Sequence, residues 1–421
     1  MRLAQVSSDT LVRLRDAAGR ALPEYLADLG RLVTVDSGSY TKSGVDEVGR
    51  WITDALRELG ATVEVHPNAQ LGDTVEAVFQ GVGTARVLAI GHLDTVFEPG
   101  TAAARPFCVE SGRAHGPGAC DMKSGLLAGV YALRALRSTA GQRSRSTAAT
   151  GESTDVTVEP AAVNVHAALP WLPLARLTFL ANPDEEIGSP VSTPLIRACA
   201  TRHDAALVLE CARANGDIVS SRKGNESLEL RIRGRAAHAG VEPERGRSAI
   251  LEAAHKTIAL QALNGRWPGV TCNVGVFRGG TRPNVVADEA VLEVDLRAST
   301  RDALEAAEAA VSRIAARTTV PDVTCDIARH GRHWPMERLP GTADLVDAAV
   351  ALAKSLGFEL HDASTGGASD ANTTAGEGLP TLDGMGPVGG LDHSPDEYVE
   401  VGSVVDRITL LAGMLCALGG P

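Results

Sequence analysis

Short apolar runs alternate with helix-like runs through the first half of this 421-residue chain. The runs at 85–90, 176–181 and 205–210 are continuously apolar, which suits strands buried on both faces of a sheet. Residues 45–60 carry apolar positions at helical spacing, and 123–138 resembles an apolar helix. Strands that alternate with helices in this way predict a mostly parallel sheet covered by helices.

A second pattern begins at about residue 215. Strand-like and helical runs follow in the order strand, helix, strand, strand, helix, strand as far as residue 331, which is the order of a ferredoxin-like α+β unit. We therefore predict an α/β domain formed by 1–214 and 332–421, with an inserted α+β domain at 215–331. Within the first domain, 139–170 is small, polar and low in complexity, and predicts a surface insertion.

Composition excludes several classes of partner. The net charge of −12 argues against a nucleic acid or an anionic membrane, since both require a basic face. We find no apolar core of a signal peptide at the N-terminus and no later segment approaching the ~20 apolar residues of a membrane-spanning helix. The seven cysteines are scattered without a C-x-x-C pair, which argues against a disulfide framework and a thiolate zinc site. We expect a cytoplasmic protein.

Acidic and imidazole side chains follow the predicted buried strands or lie in glycine-rich loops. Ligands of open α/β sheets bind beyond the carboxyl ends of the strands, so these side chains are expected to converge. The positions are His92, Asp94, Asp121, Glu185, Glu186, Glu210 and His393.

Two histidines and three carboxylates, without thiolate, suit a pair of zinc, cobalt or manganese ions. Such a pair lowers the pKa of a water molecule held between the ions, and the chemistry also needs a base that is not a ligand. Taken singly, each of these residues is more simply explained as a helix cap, a solvated carboxylate or a loop histidine. Their joint pattern favours the metal site.

Six sequence blocks resemble, in order, those of the M20 zinc peptidases, and within them the glutamate carboxypeptidase branch of carboxypeptidase G2 type. The blocks are GHLDTV, AHGPGACDMKSG, NPDEEIGS, GRAAHAGVEPERG, GGASDAN and DHSPDEYV. The resemblance covers nearly the whole chain apart from 139–170. It implies a catalytic domain of zinc-exopeptidase type, with the ferredoxin-like insert as a lid and dimerisation domain, and thus a homodimer.

The resemblance also implies two Zn²⁺ per chain, with Co²⁺ or Mn²⁺ as possible substitutes. Asp94 would orient the imidazole of His92, and Glu185 would be the general base. The implied ligands are His92 and Glu210 for one zinc, Glu186 and His393 for the other, and Asp121 as the bridge.

In the insert, His238 matches a histidine that reaches the active site of the partner subunit and stabilises the tetrahedral oxyanion. The implied substrate-binding residues are Asn284, Arg297 and Arg332 for a carboxylate, and Gly366 and Gly367 for the pocket lining. The chain departs from the family at Met122, where an acid usually follows the bridging aspartate, often across a strained peptide bond. It also lacks the lysine that some glutamate-specific members place shortly after the Glu210 position, which leaves glutamate specificity open.

These features predict a di-zinc amidohydrolase that acts on a small molecule or short peptide. Its substrate would be an N-acyl amino acid or a peptide with a free C-terminal carboxylate, in the manner of a glutamate carboxypeptidase. One alternative is an N-deacylase of acetylornithine or succinyl-diaminopimelate type. Another is a non-hydrolytic, metal-retaining binding protein, which would be expected to lack Glu185.

Overall fold

The computed structural model describes residues 3–148 and 168–420. By spatial proximity the chain divides into two compact units, each with its own hydrophobic core. The division places 215–220 in the first unit and 332–337 in the second, unlike the predicted boundaries, and it adds Ser364–Gly376 to the second. The first unit comprises Met1–Ser220, Arg338–Ala363 and Glu377–Pro421, and the second comprises Ser221–Glu337 and Ser364–Gly376.

A six-stranded sheet forms part of the core of the first unit. Its strands are β1 (Thr62–His66), β2 (Thr74–Gln80), β3 (Arg86–His92), β6 (Arg176–Asn182), β7 (Ala205–Val208) and β14 (Thr381–Leu382). They lie in the order β1-β2-β6-β3-β7-β14. Neighbours from β6 to β14 pair in parallel, whereas β1–β2 and β2–β6 pair antiparallel. The sheet is therefore mixed, with the predicted parallel arrangement confined to one side.

Short strands accompany this sheet. β4 (Cys108–Glu110), β5 (Arg113–His115), β15 (Gly389–Gly390) and β16 (Tyr398–Glu400) form a four-stranded sheet in the order β15-β16-β5-β4. β8 (Ile218–Arg222) and β13 (Asp362–Thr365) pair with each other where the chain passes between the units.

The first unit also contains helices, some of which pack on its large sheet. They are α1 (Ser8–Val33), α2 (Lys42–Glu58), α3 (Thr101–Ala104), α4 (Gly125–Ala148), α5 (Thr193–Ala200), α8 (Pro340–Leu356) and α10 (Val401–Leu418). α2 packs on β1 and β2, α4 packs on β3, and α1 and α10 pack against α4. Because α4 runs to Ala148, the first part of the predicted insertion at 139–170 is helical, and 149–167 lies outside the described residues.

α10 is apolar enough to resemble a membrane span. Val401–Leu418 has a mean hydropathy of 1.7, and among the described residues it is the one helix that passes this test of length and composition. The prediction that no segment approaches such a span is therefore wrong for α10. The helix is 67% buried and packs against α1, α4 and α8, so its apolar side chains serve the core.

The second unit has the predicted ferredoxin-like arrangement. Its strands β9 (Gly224–Arg233), β10 (Thr271–Gly279), β11 (Glu289–Ala298) and β12 (Thr324–His333) form an antiparallel sheet in the order β10-β11-β9-β12. Helices α6 (Ala249–Gln261) and α7 (Arg301–Ala316) pack on this sheet, and α9 (Asp370–Gly376) contacts β12. The apolar positions of β9 and β11 alternate with exposed ones, as expected for a sheet covered on one face.

Candidate metal centre

Strand register brings the first unit's acidic and imidazole residues together. His92 ends β3 and lies opposite Asn182 of β6, while Ile90 lies opposite Val208 of β7. Because these three strands are parallel, the residues that follow β6 and β7 lie level with His92 at one edge of the sheet.

His92 is fixed through both ring nitrogens. Its Nδ1 lies 3.0 Å from the backbone carbonyl oxygen of Asp94 and 3.4 Å from the Asp94 carboxylate. Since a carbonyl only accepts, Nδ1 donates and carries the proton. Nε2 faces two carboxylates, at 3.0 Å from Asp121 Oδ1 and 3.5 Å from Glu210 Oε1. In the neutral ring, Nε2 is therefore the nitrogen left to bind a metal.

The Asp121 carboxylate lies between two imidazoles. Its Oδ1 contacts His92, and its Oδ2 lies 3.1 Å from His393 Nε2. The same His393 nitrogen is 3.1 Å from Glu186 Oε2. The carboxylate thus offers one oxygen to each imidazole, which is the geometry expected of a carboxylate that bridges two metal ions. The peptide bond from Asp121 to Met122 is cis.

Glu185 and Glu186 begin a short 3₁₀ turn whose backbone is held by Asp94. Asp94 Oδ1 accepts from the Glu185 amide at 3.2 Å, and its Oδ2 accepts from the Glu186 amide at 3.3 Å and from the Ser39 hydroxyl at 2.6 Å. Asp94 is 1% exposed. It therefore positions both glutamates as well as His92, a role that sequence reasoning had not assigned to it.

The site concentrates negative charge. Hydrogen bonds to Asp121 and Glu186 raise the pKa of His393 to about 11. Burial opposes protonation of His92, but Glu210, Asp121 and Asp94 raise its pKa well above the ordinary value. Burial and the charge of Asp121 raise the pKa of Glu210 to about 8. Burial also acts to raise the pKa of Asp121, yet the two imidazoles hold it far below its usual range. A site that favours two imidazolium ions also favours divalent cations.

The side chains fit a pair of divalent ions. Nitrogen and oxygen donors without sulfur suit zinc, cobalt or manganese. The Glu186 Oε1 atom is buried and has no hydrogen-bond partner among the described residues, as expected of an oxygen reserved for a metal. Two sets of donor atoms lie within 4.8 Å of one another: His92, Asp121 and Glu186, and His92, Glu185 and Glu210.

Glu397 is a site residue that sequence reasoning missed, although it lies in the quoted block DHSPDEYV. Its carboxylate is 1% exposed and accepts from the amides of Gly118, Cys120 and Asp121 at 3.0, 2.8 and 2.9 Å. Burial raises its pKa to about 7 despite these hydrogen bonds. Glu397 therefore holds the backbone that presents the Asp121 carboxylate. Its position four residues after His393 was the available signal.

Glu397→Gln is expected to lower metal affinity or kcat/KM by about 10–100-fold, the usual cost of losing a group that orients a metal ligand. The glutamine retains one acceptor oxygen but turns an N–H₂ group toward backbone donors. Metal titration and steady-state kinetics measure the effect, with Glu400→Gln as a matched control because that carboxylate pairs with Arg113. Unchanged affinity and kinetics in Glu397→Gln would contradict the positioning role.

Within the second unit, the structure brings His238 and Asn284 together. His238 pairs with Val285 in an isolated β-bridge, and the Ala239 amide donates to the Asn284 carbonyl at 3.0 Å. His238 is exposed, and its Nδ1 accepts from the Gly240 amide at 3.2 Å. Since Nδ1 accepts, the neutral imidazole carries its proton on Nε2.

The predicted carboxylate-binding arginines already have partners inside the second unit. Arg297 forms a two-pronged ion pair with Asp295 at 2.8 and 2.9 Å and donates to the Gly366 carbonyl at 2.8 Å. The Gly367 carbonyl accepts from Arg222 at 3.2 Å. The remaining predicted residue, Arg332, lies 3.4 Å from the Glu308 carboxylate and 4.0 Å above the Trp334 ring.

Comparison with known proteins agrees with this architecture. Residues 88–152 match the model of peptidase family M20/M25/M40, and 220–323 match that of the peptidase dimerisation domain. Carboxypeptidase G2 from Pseudomonas sp. (strain RS-16) is 28% identical across 99% of this chain and 95% of its own. The chain belongs to the M20 peptidase family. It is an M20 hydrolase of the metallopeptidase and amidohydrolase class. Members of the M20 family generally bind divalent metals.

Two further relatives show the breadth of the M20 family. Succinyl-diaminopimelate desuccinylase from Dechloromonas aromatica (strain RCB) is 27% identical, over 83% of this chain and 87% of its own. The crystal structure of aminopeptidase PepT from Bacillus cereus has a TM-score of 0.74 at 22% identity, covering 94% of this chain and 98% of that one. The similarity to PepT shows the fold of this M20 hydrolase. The names of its relatives indicate different substrates.

Proposed function

We propose that this M20 hydrolase is a di-zinc carboxypeptidase that removes a C-terminal amino acid, preferably glutamate, from an N-acyl amino acid or short peptide. The observation that carries the proposal is the pair Glu185–Glu186, which offers one carboxylate to each side of the centre around Asp121. Similarity to carboxypeptidase G2 along nearly the whole chain supports the choice of substrate.

In the proposed mechanism, His92 and Glu210 would hold one ion, Glu186 and His393 would hold the other, and Asp121 would be a ligand shared by both. Bound ions would supply Lewis acidity for a water molecule and for the scissile carbonyl. The Glu185 carboxylate takes the proton from the attacking water and then delivers it to the leaving amine. Asp94 holds the Glu185 backbone in place during both transfers. Glu185 thus acts as a base in the first step and as an acid in the second.

The second unit is proposed to contribute substrate recognition. Asn284, Arg297 and Arg332 would bind the substrate carboxylate, Gly366 and Gly367 would line the pocket, and His238 would donate to the oxyanion. Arg297→Ala should raise KM for substrates with a free α-carboxylate and have little effect on KM for their amides, which steady-state kinetics can measure. An equal effect on both substrates would contradict carboxylate binding.

The match to succinyl-diaminopimelate desuccinylase favours N-deacylation as the second candidate. A panel of peptides and N-acyl derivatives, assayed alongside metal analysis, separates the two. Faster turnover of C-terminal glutamyl substrates supports the carboxypeptidase, and faster turnover of succinyl-diaminopimelate or acetylornithine supports the deacylase. An active sample with well under two metal equivalents per chain would contradict the binuclear mechanism.

A homodimer formed through the second unit is also proposed, supported by the dimerisation-domain match at 220–323. The cysteines form no disulfide among the described residues, which supports the proposed cytoplasmic location. Sedimentation of the wild-type protein and of Ile258→Asp would test the assembly. Ile258 is chosen because it is an exposed apolar side chain of the second unit. Monomeric wild-type protein at micromolar concentration would contradict it.

A further inference from the structure

A second group of potential metal donors consists of residues that are sequence neighbours of the candidate centre. The sulfurs of Cys120 and Cys211 and a carboxylate oxygen of Asp392 all lie within 4.8 Å of one another, and Cys211 Sγ is 3.8 Å from Asp392 Oδ1. Cys120 is fully buried, whereas Cys211 and Asp392 are half-buried and therefore accessible to a small ion. Each is the sequence neighbour of a proposed ligand, these neighbours being Asp121, Glu210 and His393.

The donor chemistry distinguishes this group from the hydrolytic centre. Two sulfurs with one carboxylate oxygen suit a thiophilic cation such as zinc or cadmium, whereas the hydrolytic centre offers nitrogen and oxygen alone. A disulfide would join the two sulfurs and give Asp392 no role. The Asp392 oxygen nevertheless lies within 4.8 Å of both sulfurs. The convergence of three donors therefore favours a cation over a disulfide.

The packing around Cys120 supports the same conclusion. The Cys120 sulfur is held against the backbone of Gly389, where a Cβ atom added to that glycine would lie only 2.3 Å from it. This packing limits the sulfur's freedom to move away from the other donors.

We propose that Cys120, Cys211 and Asp392 form a separate site for a thiophilic divalent cation, Zn²⁺ or Cd²⁺, with water completing the coordination. Each thiol releases its proton to solvent as its sulfur–metal bond forms. Binding draws both sulfurs toward one point and shifts the adjoining Asp121 and Glu210. A cation at this site therefore inhibits hydrolysis after the hydrolytic centre has been filled. The site itself exists whether or not the proposed substrate is correct.

Cadmium titration tests the site. Full-length protein, reduced and preloaded with zinc, is titrated with Cd²⁺ while the sulfur-to-cadmium charge-transfer absorption is recorded. One equivalent per chain is expected to produce the band, because the ligands of the hydrolytic centre contain no sulfur. Cys211→Ser should abolish most of the band, and Asp392→Asn should weaken binding at least about tenfold. Thermal melting checks that both variants are folded.

The matched control is Cys108→Ser, which removes an exposed thiol and should change neither the band nor the affinity. Wild-type affinity in both Cys211→Ser and Asp392→Asn would overturn the proposal, as would loss of the band in Cys108→Ser. Absence of the band together with a mass loss of two hydrogens on mild peroxide treatment would show a disulfide pair instead. Because the band does not depend on turnover, an inactive enzyme that still binds Cd²⁺ would refute the proposed function alone.

Discussion

Glu185→Gln is expected to lower kcat by about 10²–10⁴-fold, the usual contribution of a general acid–base group, while metal content stays unchanged. Glutamine has nearly the same shape but cannot accept the proton of the attacking water. The backbone amide of residue 185 still reaches Asp94, so the 3₁₀ turn should persist. Steady-state kinetics at saturating substrate and atomic absorption on the same sample give the two readouts.

Glu186→Gln provides the matched control, since it alters the next residue of the same turn. Its carboxylate faces His393 and has one buried oxygen without a hydrogen-bond partner among the described residues, so this variant should lose metal as well as activity. Glu185 itself lies within ligand distance of His92 and Glu210, which makes the comparison informative. Loss of metal from Glu185→Gln, or turnover near the wild-type rate, would show that Glu185 is not a free base.

Metal affinity is expected to rise steeply with pH. In the metal-free protein the pKa of His393 is raised to about 11 and that of His92 lies well above its ordinary value, so both imidazoles carry an extra proton near neutrality. A metal binds the neutral ring, and loading must therefore release these protons. Each released proton makes the apparent affinity about tenfold stronger per pH unit.

Competition with a chelator between pH 6 and 9 measures this slope, and calorimetry in two buffers of different ionisation enthalpy counts the protons. His393→Ala should reduce the slope and weaken binding of one ion. The matched control is His361→Gln, which removes an exposed imidazole of the same unit that pairs with Asp217. An affinity independent of pH would mean that the imidazoles are not protonated before the metal binds.

Local sequence patterns predicted the elements that present the site. Continuous apolar runs marked β3, β6 and β7, and helical spacing marked α2 and α4. The carboxyl ends of parallel strands explain why His92 and the residues after β6 and β7 converge, since that rule needs strand direction alone. Family resemblance then assigned different roles to Glu185 and Glu186, which their chemistry leaves equivalent, and this division of roles stays a prediction.

Pairing between strands that are distant in the chain could not be predicted from the sequence. The antiparallel insertion of β2 beside β6 depends on hydrogen bonding across about a hundred residues, and no local pattern encodes it. Glu397 was missed for a similar reason, because its three amide donors lie far away in the chain. Likewise, Cys120 and Cys211 look scattered in the sequence, yet their sulfurs meet because the loop before α4 lies beside the residues that follow β7.

The distribution of the centre along the chain also determines when it forms during synthesis. Asp121 meets His393 across 272 residues, and its loop is held by Glu397 from still nearer the C-terminus. Residues 122–397 must therefore be synthesised before the Asp121 carboxylate gains its second imidazole and its backbone support. The proposed metal centre is thus expected to assemble only after residue 397 has been made, and a chain truncated before residue 393 is expected to lack it. We expect such a truncated chain to be inactive, because one imidazole and the support of the Asp121 backbone are missing.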